Sequence, residues 1–232
     1  MRRITVAIDG FSSSGKSTMA RELARRVGYT YVDSGAMYRA VTLYAMRHGL
    51  THPDHTVDTA ALVATLPDIS ISFAPAGADG VQHTLLNGED VEDRIRTLAV
   101  SDLVSPVSTI PQVREHLVKL QQEFGEHGGI VMDGRDIGTT VFPHAELKVF
   151  VNASAEERAR RRVLELEQKT GKPVDYREVL ENVRERDRID STRAVSPLRK
   201  ADDAIELNND DMSPRQQMDW LMEMFNKTVN KY

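Results

Sequence analysis

Cysteine is absent from this 232-residue chain, which rules out disulfides and thiolate metal cages and fits a reducing compartment. No apolar run approaches the roughly twenty residues that cross a bilayer, and Met1 to Ile8 lacks the apolar region of a signal peptide. The expectation is a cytoplasmic chain with no membrane partner. An excess of positive charge is missing too: 30 Lys and Arg against 35 Asp and Glu give a net charge of −5. A nucleic-acid partner is therefore not expected, and any anionic ligand must be met by local groups. The seven histidines are scattered without ligand spacing, and His116 and His127 read as surface residues. Trp220, beside Leu221 and Met224, reads as core packing.

What is present is an ordinary globular composition, 40% hydrophobic and 28% charged, long enough for one main domain over 1–232 with an insertion. The run ITVAID (Ile4 to Asp9) reads as a buried strand. From Ser17 onward, Met19, Leu23 and Val27 recur at helical spacing until Gly28. Short apolar runs return at Tyr31 to Asp33, Ile130 to Asp133, Leu147 to Val151 and Ala204 to Leu207, with helical patterns between several of them. That alternation predicts an α/β fold, a parallel sheet covered by helices. Val113, Leu117, Leu120 and Phe124 share a helix face between Pro111 and Gly125. Ser154-Ala-Glu-Glu157 reads as a capping box opening an arginine-rich helix. The rhythm breaks at DISISF (Asp68 to Phe73), which alternates with period two, and at His83 to Val91 around an Asn87-Gly88 turn signal, predicting a small antiparallel insert. The stretch Gln168 to Asp175 splits the arginine-rich region into two helical pieces.

The segment Gly10-Phe11-Ser12-Ser13-Ser14-Gly15-Lys16-Ser17-Thr18 carries the phosphate-loop spacing between a predicted strand and a predicted helix. Small residues let the backbone wrap phosphate oxygens so that successive N–H groups and the positive helix end face the anion. Lys16 supplies a point charge to the β and γ phosphates, and the Ser17 hydroxyl a place on a magnesium ion. A nucleoside triphosphate site follows.

Three further phrases are candidates for the phosphoryl acceptor's site. DSGAMYR (Asp33 to Arg39) and DGRDIGTTVFP (Asp133 to Pro143) each follow a predicted strand, at the sheet edge where α/β proteins bind ligands. Asp133 is the candidate acid beside the magnesium, or else a buried structural carboxylate. RERDRIDSTR (Arg184 to Arg193) sets Arg186, Asp190 and Arg193 on one helical face, either as a solvated salt-bridged surface or as cations for phosphoryl transfer.

At these residues the chain resembles the bacterial cytidylate kinases. The resemblance runs in order through IDGFSSSGKST, YVDSGAMYRA, NGEDVEDRIRT, PQVRE, DGRDIGTTVFPHA, SAEERARRR and RDRIDSTRAVSPL, nearly the whole length. It implies a P-loop kinase with a five-stranded parallel core, a monophosphate-binding insert (40–98) and an arginine-rich lid (157–195). It further implies a monomer that uses ATP and Mg2+ to phosphorylate CMP or dCMP. Carried over by position, Gly10 to Thr18 and Arg158 would bind ATP, and Ser34 and Arg39 the monophosphate. Ser105, Arg114 and Asp136 would read cytosine. Arg135, Arg186 and Arg193 would hold phosphates, with Lys16, Arg186, Arg193 and Asp133 the catalytic set, and Asp190 would meet the sugar hydroxyls. Phe11 stands where the family usually has proline, and serines stand where it has glycine or alanine. Two alternatives remain at this level: a kinase of another small acceptor, such as a different monophosphate or shikimate, and a nucleotide-dependent switch.

Overall fold

The computed structural model describes residues 3–74 and 82–231, so residues 75–81 of the expected insert lie outside the described residues. Along the chain run β1 (Thr5–Gly10), α1 (Lys16–Val27), β2 (Thr30–Asp33), α2 (Ser34–Arg47), α3 (Thr59–Thr65), β3 (Ile71–Phe73), β4 (Thr84–Leu86) and β5 (Glu89–Asp90). Then follow α4 (Glu92–Ile95), α5 (Leu98–Ser108), α6 (Pro111–Gly125), β6 (Ile130–Gly134), β7 (Leu147–Asn152), α7 (Ala155–Thr170), α8 (Tyr176–Thr192), β8 (Ile205–Asn208) and α9 (Pro214–Val229). They group into two compact units, one of Met1–Asp33 with Gln122–Tyr232 and one of Ser34–Gln121. Among the described residues no helix is long and apolar enough to cross a membrane.

The first unit is built on a five-stranded sheet in the order β2-β6-β1-β7-β8, every neighbouring pair parallel. Strands buried on both faces need continuous apolar runs, and Val6, Ala7, Ile8, Ile130, Val131, Met132, Val149 and Val151 supply them. Met19, Ala20 and Leu23 of α1 and Leu221 and Phe225 of α9 close over the same core, with Trp220 packed against it. The chain leaves central β1 towards β2 on one side and returns later to β7 on the other. The end of β1 is thus a switch point of the topology, the place where open α/β sheets bind their ligands. Gly28 ends α1 in the left-handed conformation the sequence called for, φ 69° and ψ 34°.

In the second unit α2 packs on α4, α5 and β4, and β3, β4 and β5 form a small antiparallel sheet. Its β4-β5 turn is the expected one, with Asn87 at φ 50° and Gly88 at φ 82°. The strand expected over Asp68 to Phe73 is shorter. Pro67 lies in a 3₁₀ turn over Leu66–Asp68, and pairing starts at Ile71. Helix α6 takes the expected bounds, while His116 is half-buried and His127 exposed. The capping box of α7 is only half formed. Ser154 accepts from the Glu157 amide, but the amide of Ser154 donates to Asp210, because Glu157 pairs with Arg161 instead.

Candidate active site

The phosphate loop is shaped by backbone that few residues adopt. Gly10 sits at φ 156°, and a Cβ there would collide with the carbonyl oxygen of Val151 in β7. Gly15 caps α1 in the left-handed region at φ 86°, and Ser13 takes φ 57°. Among the described residues the hydroxyls of Ser12 and Ser14 are buried with no hydrogen-bond partner. A buried hydroxyl left unpaired is costly, so both are suited to an anion in the loop.

Lys16 opens α1 with only 5% of its surface exposed, its ammonium donating to the Phe11 carbonyl at 3.0 Å. Burial and the Arg135 cation lower its pKa to about 7, against the opposing pull of Asp133 and Asp33. Ser17 donates to Asp133 Oδ2 at 2.7 Å, and the Tyr31 hydroxyl donates to Asp133 Oδ1 at 2.8 Å. Burial, and next the Asp33 carboxylate, push the Asp133 carboxyl above its ordinary range. Asp33 stands opposite Asp133 in the β2-β6 register, so the sheet itself brings together two acids whose chain positions gave no hint of it.

Residues just after β6, within α8 and just after α8 supply the cations. Arg135 Nε donates to Asp190 Oδ2 at 2.8 Å. Burial alone would raise the Asp190 carboxyl, but Arg135 and Arg186 outweigh it and hold it below its usual value. Among the described residues the buried Nε of Arg186 has no hydrogen-bond partner, and burial followed by Arg135 pulls its pKa down to about 10. The single helical face expected for Arg186, Asp190 and Arg193 needs correcting, since α8 ends at Thr192 and Arg193 lies just past it in extended backbone. That turn folds Arg193 inward. Its Nε donates to the Ser196 carbonyl at 2.8 Å, and its Nη2 lies 3.6 Å from Asp136 Oδ1. It is buried, which departs from the solvated surface that the charge pattern allowed.

Arg158 of α7 reaches the same loop. Its guanidinium lies 5.0 Å from the centre of the Phe11 ring, pairs with both oxygens of Asp187 and approaches the Ser12 carbonyl at 3.4 Å. Below the loop, Asn209 Nδ2 donates to the Ser14 carbonyl at 2.7 Å, and Arg161 donates to both Asn209 Oδ1 and the Asn209 carbonyl. Sequence reasoning missed Arg161 and Asn209. Asn209 follows β8 and is 195 residues from Ser14, so only the sheet order brings it under the loop.

In the second unit, Ser34 is buried at the start of α2, and Arg39 Nη1 donates to the Ile95 carbonyl and to Ser101 Oγ at 3.1 and 2.9 Å. Arg114 of α6 is buried over the Tyr38 ring, 5.2 Å from its centre, and donates to the Ser108 carbonyl. The Ser108 hydroxyl in turn donates to the carbonyl of buried Ser105. The expected residues thus fall into two sets. Gly10 to Thr18, Asp133, Arg135, Asp136, Arg158, Arg186, Asp190 and Arg193 belong to the first unit, and Ser34, Arg39, Ser105 and Arg114 to the second.

Chemically, the first unit offers an anion cradle with unpaired hydroxyls, a lysine and arginines that repel one another, and a hydroxyl-carboxylate pair. This arrangement favours a polyanion. Cytidylate kinases of Bacteroides fragilis and Phocaeicola vulgatus are 56% and 57% identical over 229 and 230 residues, covering 99% of this chain and 99% and 100% of theirs. That of Flavobacterium johnsoniae is 51% identical over 229 residues, 99% of each chain. Among solved structures, a shikimate kinase from Bacteroides thetaiotaomicron aligns over 98% of both chains at 12% identity and a TM-score of 0.46, too loose a likeness to weigh. The model of the family described as cytidylate kinase matches residues 6–227, and with these relatives over nearly its full length the chain belongs to the cytidylate kinase family.

Proposed function

We propose that the chain transfers the γ-phosphoryl group of ATP to CMP or dCMP, giving ADP and CDP or dCDP, as a cytoplasmic enzyme of pyrimidine nucleotide metabolism. The observation that carries phosphoryl transfer is the cluster of buried and half-buried cations around the phosphate loop. Lys16 is held at a pKa of about 7 and Arg186 at about 10, each by burial and then by Arg135. Cations so poorly balanced become stable when phosphate enters, and most of all when charge spreads over the transferring group. The cytidine acceptor rests on family membership.

The acceptor oxygen belongs to the CMP phosphate, whose second pKa of roughly 6 leaves it ionised near neutrality. No general base is required. That oxygen bonds to the γ-phosphorus as the bond to the β-γ bridging oxygen breaks, and the electron pair leaves with ADP. Gly10 to Thr18 hold the ATP phosphates, with Arg158 beside them. Lys16, Arg135, Arg186 and Arg193 receive the developing charge. Ser34 and Arg39 hold the monophosphate, Asp190 the sugar hydroxyls, and Ser105, Arg114 and Asp136 the cytosine ring. The segment 157–195 acts as a lid that shuts out water, which would otherwise take the phosphoryl group.

Magnesium fits the Ser17-Asp133 pair. The Ser17 proton is donated to Asp133, which leaves the hydroxyl lone pairs for a hard cation, and Asp133 and Asp33 supply compensating negative charge. Ser17 would hold the ion and Asp133 would orient its shell. When bound, the ion neutralises the β and γ phosphate oxygens.

Steady-state assays with ATP and a panel of CMP, dCMP, UMP and AMP test this reading. CMP and dCMP are expected to have the highest kcat/KM, and a preference for AMP, or slow ATP hydrolysis without transfer, would overturn it. Removing Arg186 should separate catalysis from stability. Arg186→Ala relieves a half-buried, repelled cation, so its melting temperature should equal or exceed the parent's while kcat falls by about 10²–10³. A fall in melting temperature with kcat preserved would make Arg186 a structural residue.

A further inference from the structure

One buried acid remains outside the reaction just described. Asp9 ends the apolar run of β1, next to Gly10, with 5% of its surface exposed. Its two carboxylate oxygens each accept a backbone N–H from across the sheet, Ile137 N to Oδ1 at 2.8 Å and Gly138 N to Oδ2 at 2.7 Å. Those amides begin the π-helical turn over Ile137–Val141, whose cap residue is Asp136. The first amides of a helical turn have no partner within it, and an aspartate at the cap position ordinarily accepts from them. Among the described residues the Asp136 side chain makes no cap bond to this turn. Asp9 does that job from another strand, 128 residues away in the chain, and Asp136 is spared it.

We propose that Asp9 is a positioning residue for base selection: by capping the Asp136–Gly138 turn it satisfies the turn's first amides without the Asp136 carboxylate and fixes where that carboxylate stands to meet the cytosine amino group. The proposal rests on the reading of Asp136 given above. Two further observations support it. First, the arrangement is retained at a cost. Burial outweighs the Gly138 and Ile137 amides, which pull the other way, and with a further push from nearby Asp136 the Asp9 carboxyl stands raised to about 7. A turn capped by its own aspartate would avoid that charge repulsion. Second, the main chain at Asp9 is paired in register with Gly134 of β6 and Phe150 of β7. Losing the carboxylate therefore frees the turn and leaves the start of the phosphate loop held by the sheet.

Two variants disturb this contact from opposite sides. Asp9→Asn keeps one acceptor and turns an amide NH2 towards a backbone N–H, so one of the two bonds is lost. Gly138→Ala sets a Cβ 3.3 Å from Asp9 Oδ2 and 3.2 Å from Lys148 Cδ, which presses the turn away from the carboxylate. In the full chain with saturating ATP, both variants are expected to narrow the CMP to UMP ratio of kcat/KM by about tenfold, with KM for ATP held within about twofold. Asp136→Asn is assayed beside them. If Asp136→Asn narrows the ratio and the other two, folded, keep the parent's ratio, Asp9 is only structural and the reading of Asp136 stands. A parallel loss of CMP, UMP and ATP parameters in both variants also overturns the positioning role. If Asp136→Asn itself keeps the parent's ratio, the reading of Asp136 fails and takes this proposal with it. Should Asp9→Asn fail to fold, Gly138→Ala alone decides.

Discussion

Lys16→Ala is expected to lower kcat by about three orders of magnitude or more while the chain stays folded. The reason lies in how badly the ammonium is accommodated before nucleotide arrives. Burial and Arg135 hold its pKa at about 7, and it donates a hydrogen bond to a neutral carbonyl, that of Phe11. Removing it costs that bond and some packing of the stem but relieves repulsion with Arg135 and Arg186, so melting temperature should change little. Catalysis loses more, because an interaction that strengthens as charge develops on the transferring group appears in kcat. A coupled assay of ADP release, with melting curves and ATP binding measured on the same samples, separates these terms. A folded variant with turnover within about tenfold of the parent would remove Lys16 from the mechanism.

How much of this was legible beforehand depends on the range of the interaction. The phosphate loop, the left-handed Gly28 stop, helix Pro111–Gly125 and the Asn87-Gly88 hairpin are local devices, and each stands where its residues said. Strand runs and their helical intervals gave the α/β class for the same reason, since period and composition are read within a few residues. Sheet order is not local. Asp9 meeting Ile137, Asp33 opposite Asp133, and Asn209 beneath Ser14 all follow from which strands are neighbours. The misjudged ends have local causes that pattern alone cannot rank. The Ser154 box lost its return bond because Asp210 and Arg161 competed for its two partners. Arg193 left the helical face because the chain turns one residue earlier than the charge pattern suggested.

The second large effect concerns how cytosine is told from uracil, which presents a carbonyl acceptor where cytosine presents an amino donor. A carboxylate accepts from the first and opposes the second. Asp136 is suited to that choice: it is buried, and its side chain makes no cap bond to the turn it begins. Arg193 Nη2 stands 3.6 Å from its Oδ1. Facing UMP, the carboxylate would meet another acceptor away from water, a mismatch that discriminates strongly because neither group finds a partner. Selection would thus work largely through repulsion of the wrong base. Asp136→Asn replaces the acceptor with an amide that can turn either its oxygen or its NH2 to the ring. CMP activity should fall, UMP activity should fall less or rise, and the ratio of their kcat/KM values should narrow by about 10- to 100-fold. The competing account is that Asp136 only balances Arg193. In that case the substitution unsettles Arg193, lowers both activities together and leaves the ratio as it was, and the cytosine reader is then to be sought at Ser105 and Arg114 of the second unit.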